Sequence, residues 1–176
     1  MESMTDARME RLGMTFIHPF ADPHIIARQG TIGLEILEEL PDLKSLVILV
    51  GGGLIKGIAF GIKAKKPQVR IYGVQAEGAA PLPLSLKTDI PEKTGPPRTI
   101  ADGIAATMVF DYMLPLFNRN LSGAFVVSDE EIRQPMRRIL RDCHAVPEPA
   151  GAAVLAAALK HLNELERPIA CVISGG

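Results

Sequence analysis

Apolar positions along the chain follow two rhythms. Leu46-Val47-Ile48-Leu49-Val50 is a continuous apolar run, as a strand covered on both faces requires. Val69–Val74 and Ile169–Ile173 are further strand candidates, and Thr15-Phe16-Ile17 and Ala124-Phe125-Val126-Val127 are shorter ones. Between these runs the apolar spacing is helical. Asp22 followed by Pro23 predicts an N-cap and a first helical residue. The face that follows includes Ile25, Ile26, Ile32, Ile36, Leu37 and Leu40 and ends before Pro41, with Gly30 and Gly33 implying close packing or a break. A second helix is expected from Ile55 to Lys66, with Pro67 as its stop. Ser128 with Glu131 reads as a capping box opening a helix to about Cys143, and Pro135 inside it predicts a kink or a late start. Ala150 to Leu165 is alanine-rich and predicted helical.

Between residues 76 and 103 the texture changes. Pro81, Pro83, Pro91, Pro96 and Pro97 punctuate it, so irregular chain is expected, with one short helix near Leu82–Lys87. Strands alternating with helices mean an α/β protein with a mostly parallel sheet.

Composition adds bounds. The 176 residues suit one domain, and 47% hydrophobic residues with 22% charged can bury a core. With 19 basic and 20 acidic side chains the net charge is −1, so no field of one sign attracts nucleic acid or an anionic membrane. The apolar runs fall far short of the ~20 residues of a membrane span. Cys143 and Cys171 are too few for a disulfide framework or zinc cluster and read as core residues of a helix and a strand. Met1-Glu2-Ser3-Met4-Thr5-Asp6 has neither a basic nor an apolar leader region. The expectation is a soluble cytoplasmic protein.

The sharpest local feature is Val50-Gly51-Gly52-Gly53-Leu54, set between an apolar strand and a helix. Consecutive glycines cost roughly 0.5–1 kcal/mol each in a regular element. At a strand-to-helix turn they let the backbone close around a ligand, and the following helix favours an anion such as phosphate. A flexible turn with helix–sheet packing is the plainer alternative. No Walker lysine follows, and the Gly-x-Gly-x-x-Gly register is missing. Ile173-Ser174-Gly175-Gly176 is a second strand end that can face a ligand or be an ordinary turn. Glu148, between Pro147 and Pro149, opens a helix, where a carboxylate suits the dipole. Asp102-Gly103 is a turn pair. His18 reads as a loop or core residue. His24, His144 and His161 lack metal-ligand spacing and read as surface positions. Lys63-Ala64-Lys65-Lys66 reads as helix C-terminal charge.

Taken in order, His18-Pro19-Phe20, Gln29-Gly30-Thr31-Ile32-Gly33-Leu34-Glu35-Ile36, the glycine loop, Ile100-Ala101-Asp102-Gly103, Val127-Ser128-Asp129-Glu130-Glu131, Glu148-Pro149-Ala150-Gly151-Ala152 and Ser174-Gly175-Gly176 resemble the threonine ammonia-lyase (threonine/serine dehydratase) family. Its members are fold-type II pyridoxal-phosphate enzymes and include serine racemase. The likeness covers about residues 12–176 and the C-terminal half of the catalytic domain. It implies an open, mostly parallel twisted sheet with helices on both faces, here the incomplete large domain. Residues 1–14 are expected to form a lead-in helix and 15–176 the partial cofactor-binding domain. The resemblance implies that Gly51, Gly52, Gly53 and Leu54 hold the phosphate of pyridoxal 5′-phosphate. It further implies that Ser174 bonds the pyridine nitrogen, that Gly103 lies beside the cofactor and that Glu148 is near the substrate end. The implied reaction is loss of water and then ammonia from threonine or serine, giving a 2-oxo acid.

The chain also departs from the family. Val50 stands where a first glycine is usual, so its side chain either crowds the phosphate or reshapes the cup. Gln75 and Pro81 occupy positions where metal-dependent relatives carry acidic ligands, so no divalent cation site is expected. The Ser-x-x-Lys-x-Arg-Gly stretch with the Schiff-base lysine is missing, and no catalytic residue is identified within the chain. The reading is therefore a fragment, inactive alone. Its partners would be a small amino-acid substrate, a missing N-terminal half and, for the full-length family, further copies in a homo-oligomer. The alternatives are a non-catalytic phosphate-binding remnant, an interaction partner of a full-length relative, or a racemase-like activity in the complete protein.

Overall fold

Four strands alternate in side-chain direction so that each serves two cores. A computed structural model describes residues 9, 11–15, 17, 18, 20 and 22–175. The strands are β1 (Ser45–Leu49), β2 (Arg70–Ala76), β3 (Gly123–Val127) and β4 (Ile169–Val172). They form one parallel sheet in the order β3-β2-β1-β4. Val47, Leu49, Tyr72, Val74, Phe125 and Val127 enter one core, while Leu46, Ile48, Val50 and Ile71 enter the other. This strict alternation inside continuous apolar runs is what burial on both faces demands.

Helices cover both faces. The six α-helices among the described residues are α1 (Pro23–Glu39), α2 (Gly53–Lys65), α3 (Leu82–Thr88), α4 (Leu114–Asn120), α5 (Asp129–Cys143) and α6 (Pro149–Lys160). Helices α1 to α4 supply Leu37, Ile55, Ile58, Ile62, Leu82 and Phe117 to one core, and α5 and α6 supply Ile132, Ile139, Ala153 and Ala157 to the other. The expected open, parallel α/β sheet with two covered faces is therefore present.

Local chemistry sets the helix ends. Asp22 accepts the N–H groups of His24 and Ile25, with Pro23 first in α1. The Ser128–Glu131 capping box closes in both directions. Pro135 does not delay α5, which starts at Asp129 and runs past it with the ring buried. Lys63 donates to the carbonyls of Pro67 and Val69 beyond the end of α2, as cationic C-terminal placement predicts. α1 and α2 lie close together: a Cβ on Gly33 would come 2.7 Å from the carbonyl oxygen of Ile58. Gly33 therefore marks close packing, not a break.

Some expectations fail, and others fall on residues outside those described. Thr15 and Ile17 are not in a strand, and Phe16 lies outside the described residues. The lead-in helix of residues 1–14 also lies largely outside them, with Met9 and Arg11 helical. The alanine-rich helix stops at Lys160 instead of Leu165. Cys143 is exposed, not a core residue. It continues the Ile132–Ile139 stripe, but it is the last residue of α5 and meets a left-handed His144. His161 is half-buried, with its ring stacked 4.1 Å from that of Phe125.

Candidate functional site

Chain order and space diverge at one place. β1 leads through α2 to β2, its neighbour on one side, whereas β4 joins β1 from the other side. This is a topological switch point, and in open α/β sheets the crevice beyond the strands' carboxyl ends there is where ligands bind. The residues just beyond β1 are Val50 and Gly51-Gly52-Gly53. Those beyond β4 are Ile173-Ser174-Gly175. The two strand-end turns singled out by sequence therefore stand side by side.

The glycine loop enters α2 through Gly52, whose φ is +77°, a left-handed conformation that favours glycine. Gly53 N–H donates to the Gly51 carbonyl at 3.0 Å. Its N-cap residue, Gly52, has no side chain to cap α2, and no acidic residue lies in the first turn. That helix end therefore keeps unfilled N–H donors and the positive end of its dipole for an anion. Two of the glycines have a further role. A Cβ on Gly52 would lie 3.2 Å from the Phe20 side chain, and one on Gly53 would lie 3.1 Å from the Phe20 Cα. Phe20 thus packs onto one side of the loop, and at those two positions the missing side chains make room for it. Leu54 is partly buried between the two cores.

Val50 lines a cavity beside the loop and also packs against β2. Its N–H donates to the Val74 carbonyl at 2.9 Å, and its Cγ2 lies where a side chain on Gly73 would be. Gln75, buried in β2, accepts the Leu82 N–H at 2.8 Å and so satisfies the start of α3.

The other residues expected at the site gather between the two strand ends. Gly103 lies in the 3-10 turn Asp102–Ile104, where a Cβ would meet the Glu148 carboxylate at 3.3 Å and Ala150 at 3.1 Å. Glu148 is the N-cap residue of α6, but its side chain makes no capping bond. Its carboxylate instead abuts Gly175, whose φ is +80°, and its N–H donates to the Gly175 carbonyl at 3.4 Å. The Ser174 backbone packs on Gly151 of α6, where a Cβ would come 2.6 Å from the Ser174 carbonyl oxygen. Gly176 lies outside the described residues.

A cavity of about 320 Å³ opens beside the glycine loop, lined by Val50, Gly51, Gly52, Gln75, Asp102 and Gly103 together with the apolar Phe20, Met108, Val109, Phe110, Met113 and Phe117; Glu148 and Ser174 do not line it. Its size and its mix of apolar wall and few polar groups suit a small ligand. No lysine lines it among the described residues. The nearest candidate by sequence, Lys56, is buried in α2 and donates to the Phe20 carbonyl at 3.1 Å. Burial holds its ammonium below the usual lysine range.

Three contributors escape sequence reasoning. Phe20 as the cover of the glycine loop and Lys56 as its anchor are joined across 36 residues, which no local pattern reveals. Asp129 enters the sequence reading only as part of a motif. Its carboxylate accepts the Thr99 hydroxyl at 2.6 Å and the Ile100 N–H at 3.1 Å, tying the segment before Gly103 to the start of α5. The signal in sequence is an acidic residue in a helix's first turn, which has a sufficient local explanation.

The profile of the family described as pyridoxal-phosphate dependent enzymes matches residues 2–175. The chain belongs to that family. It is 42% identical over 168 residues to an L-threonine ammonia-lyase of Thermotoga maritima, covering 95% of this chain and 42% of that protein. A serine racemase of Mus musculus is 33% identical over 181 residues, covering 99% and 53%. Among solved structures, a T.th. threonine deaminase superposes with a TM-score of 0.91 at 35% identity, covering 99% of this chain and 61% of that one. A maize serine racemase gives 0.90 at 32%, covering 99% and 55%. The chain spans about half the length of the curated relatives it matches. No helix among the described residues is long and apolar enough to cross a membrane.

Proposed function

We propose that this chain is the cofactor-holding part of a threonine/serine ammonia-lyase, acting on a small β-hydroxy amino acid. The reading is carried by one observation: the uncapped glycine loop and Ser174 stand at the carboxyl ends of neighbouring parallel strands, with Gly103 and Glu148 between them. The names of the relatives support the same substrate class, since they are threonine ammonia-lyases and serine racemases.

The residues fit pyridoxal 5′-phosphate. The N–H groups of Gly51, Gly52 and Leu54, with the α2 dipole, would hold the phosphate dianion without a cationic side chain, while the Gly53 N–H bonds the Gly51 carbonyl and shapes the loop. The Ser174 hydroxyl would hydrogen-bond the pyridine nitrogen and, unlike a carboxylate, would leave that nitrogen largely unprotonated. When bound, the cofactor supplies the electron delocalisation that loss of a β-hydroxyl requires. Gly103, lacking a side chain, would let the backbone lie beside the cofactor, and Glu148 would supply a carboxylate near the substrate. The reaction also needs a lysine to hold the cofactor and move the α-proton. No lysine among the described residues lines the cavity, so that group comes from another segment and this chain alone is inactive.

The test is an absorbance titration with pyridoxal 5′-phosphate, and in parallel with pyridoxal, followed by borohydride reduction and peptide mapping. The expected result is selective binding of the phosphorylated form, no single lysine trapped, and no 2-oxo acid from L-threonine or L-serine. Equal binding of both forms overturns the phosphate role. A uniquely trapped lysine with turnover overturns the dependence on another segment.

A further inference from the structure

Lys56 occupies a position where an apolar residue would satisfy burial. It is 3% exposed, and a buried ammonium is retained only at a cost that specific partners must offset. Those partners are the Phe20 carbonyl, 3.1 Å from Nζ, and the Tyr112 ring, whose centre is 5.4 Å from Nζ. Neither Phe20 nor Tyr112 belongs to a helix or strand. Phe20 stacks on Phe110 at 6.4 Å between ring centres, and Phe110 stacks on Tyr112 at 5.7 Å. The contacts therefore close a circuit: Phe20, Phe110, Tyr112, Lys56 and back to Phe20. Both Phe20 and Phe110 line the cavity, and Phe20 packs directly on Gly52 and Gly53.

We infer that Lys56 is a positioning residue, a tether inside the fold that fixes the Phe20 and Phe110–Tyr112 segments against each other and thereby holds the glycine loop in its ligand-ready shape. The consequence for ligand affinity rests on the reading of that loop as a phosphate site. The tether itself is a property of the chain without any ligand.

The test compares the chain with Lys56→Met, which keeps the stem and removes donor and charge, and with Lys56→Arg, which restores both. One readout is amide hydrogen exchange in peptides covering Phe20, the glycine loop and Phe110–Tyr112. The other is equilibrium dialysis with pyridoxal 5′-phosphate and with pyridoxal. Loss of one hydrogen bond to a charged donor predicts about tenfold faster exchange in all three segments of Lys56→Met and about tenfold weaker binding of the phosphorylated form alone. Lys56→Arg is expected to recover both to within about threefold, since it retains the donor and the cation over the ring. Unchanged exchange at Phe20 and the glycine loop in Lys56→Met overturns the tether. Should Lys56→Met not fold, Tyr112→Leu opens the same circuit from its other side. Faster exchange at Phe110 and Phe20 is then expected, and wild-type exchange there overturns the inference. If the unmodified chain binds both cofactor forms equally, the phosphate reading falls, while the exchange data still decide the role of Lys56.

Discussion

The Cγ2 of Val50 fills the space that a side chain on Gly73 would need: a Cβ there would lie 2.6 Å from it. The two residues belong to neighbouring lines of the sheet, Val50 just past β1 and Gly73 within β2. The valine that precedes the glycine run is therefore packed against β2, and the strand forgoes a side chain to receive it. Gly73→Ala is expected to destabilise the chain by about 1–3 kcal/mol through overpacking. Val50→Ala removes the opposing methyl, so the double variant should recover most of that loss. Urea denaturation of the four chains in a mutant cycle measures it. Additive losses would show that the two sites are independent.

Much of this fold is legible in the sequence because it rests on local rules. The apolar run Leu46–Val50 reads as a doubly covered strand and four of its five residues lie in β1, and Ser128–Glu131 forms the capping box that the spacing predicts. The glycine loop and Ser174 are legible as strand ends, but their adjacency is not. It depends on β4 joining β1 instead of β3, a long-range choice absent from any window of sequence. Cys143 defeats the pattern because periodicity shows which face a residue occupies and not whether a partner helix still covers that face at the helix's end. The role of Phe20 is hidden for a similar reason. Three glycines in a row look like a cup for a ligand, and only the packing shows that two of them also admit a phenylalanine.

The capping box makes part of the stability pH-dependent. Glu131 is held below the usual carboxylate range first by the Ser128 N–H and then by Lys160. A carboxyl with a lowered folded value contributes stability above its unfolded value, and that contribution is lost as pH falls through the folded one. Ser128→Ala should cost about 1 kcal/mol at neutral pH. Glu131→Gln should lower stability at pH 7 yet flatten its decline toward acid. Thermal melts at closely spaced pH values between neutral and strongly acidic conditions check this. An unchanged slope in Glu131→Gln would refute the assignment.

The two cysteines should separate kinetically. Cys171 lies in β4 with its thiol pushed up to about 11 by burial, whereas Cys143 is exposed. Only the thiolate alkylates. Iodoacetamide at mildly alkaline pH is expected to label Cys143 in the folded chain and to reach Cys171 only after urea is added, as mass spectrometry of the peptides would show. Early labelling of Cys171 would mean that β4, an edge strand of the sheet, opens readily.

Asp129 links α5 to the candidate site from outside it. Its two oxygens accept from Thr99 and Ile100, and the Thr99 hydroxyl also receives the Ala101 N–H at 3.1 Å. The chain from Thr99 to Gly103 is thus hung on a single carboxylate before it reaches Glu148. Asp129→Ala removes both acceptors and should cost about 1–3 kcal/mol, whereas Thr99→Val removes one bond and should cost about 0.5–1.5 kcal/mol. The more informative effect is local. Hydrogen exchange in peptides covering residues 99–105 should accelerate in Asp129→Ala while β1 and β2 stay protected, because the sheet core does not depend on this tie. Binding of pyridoxal 5′-phosphate should weaken in parallel if Gly103 borders the cofactor. Faster exchange with undiminished binding would keep Asp129 as a fold element and remove Gly103 from the cofactor's surroundings.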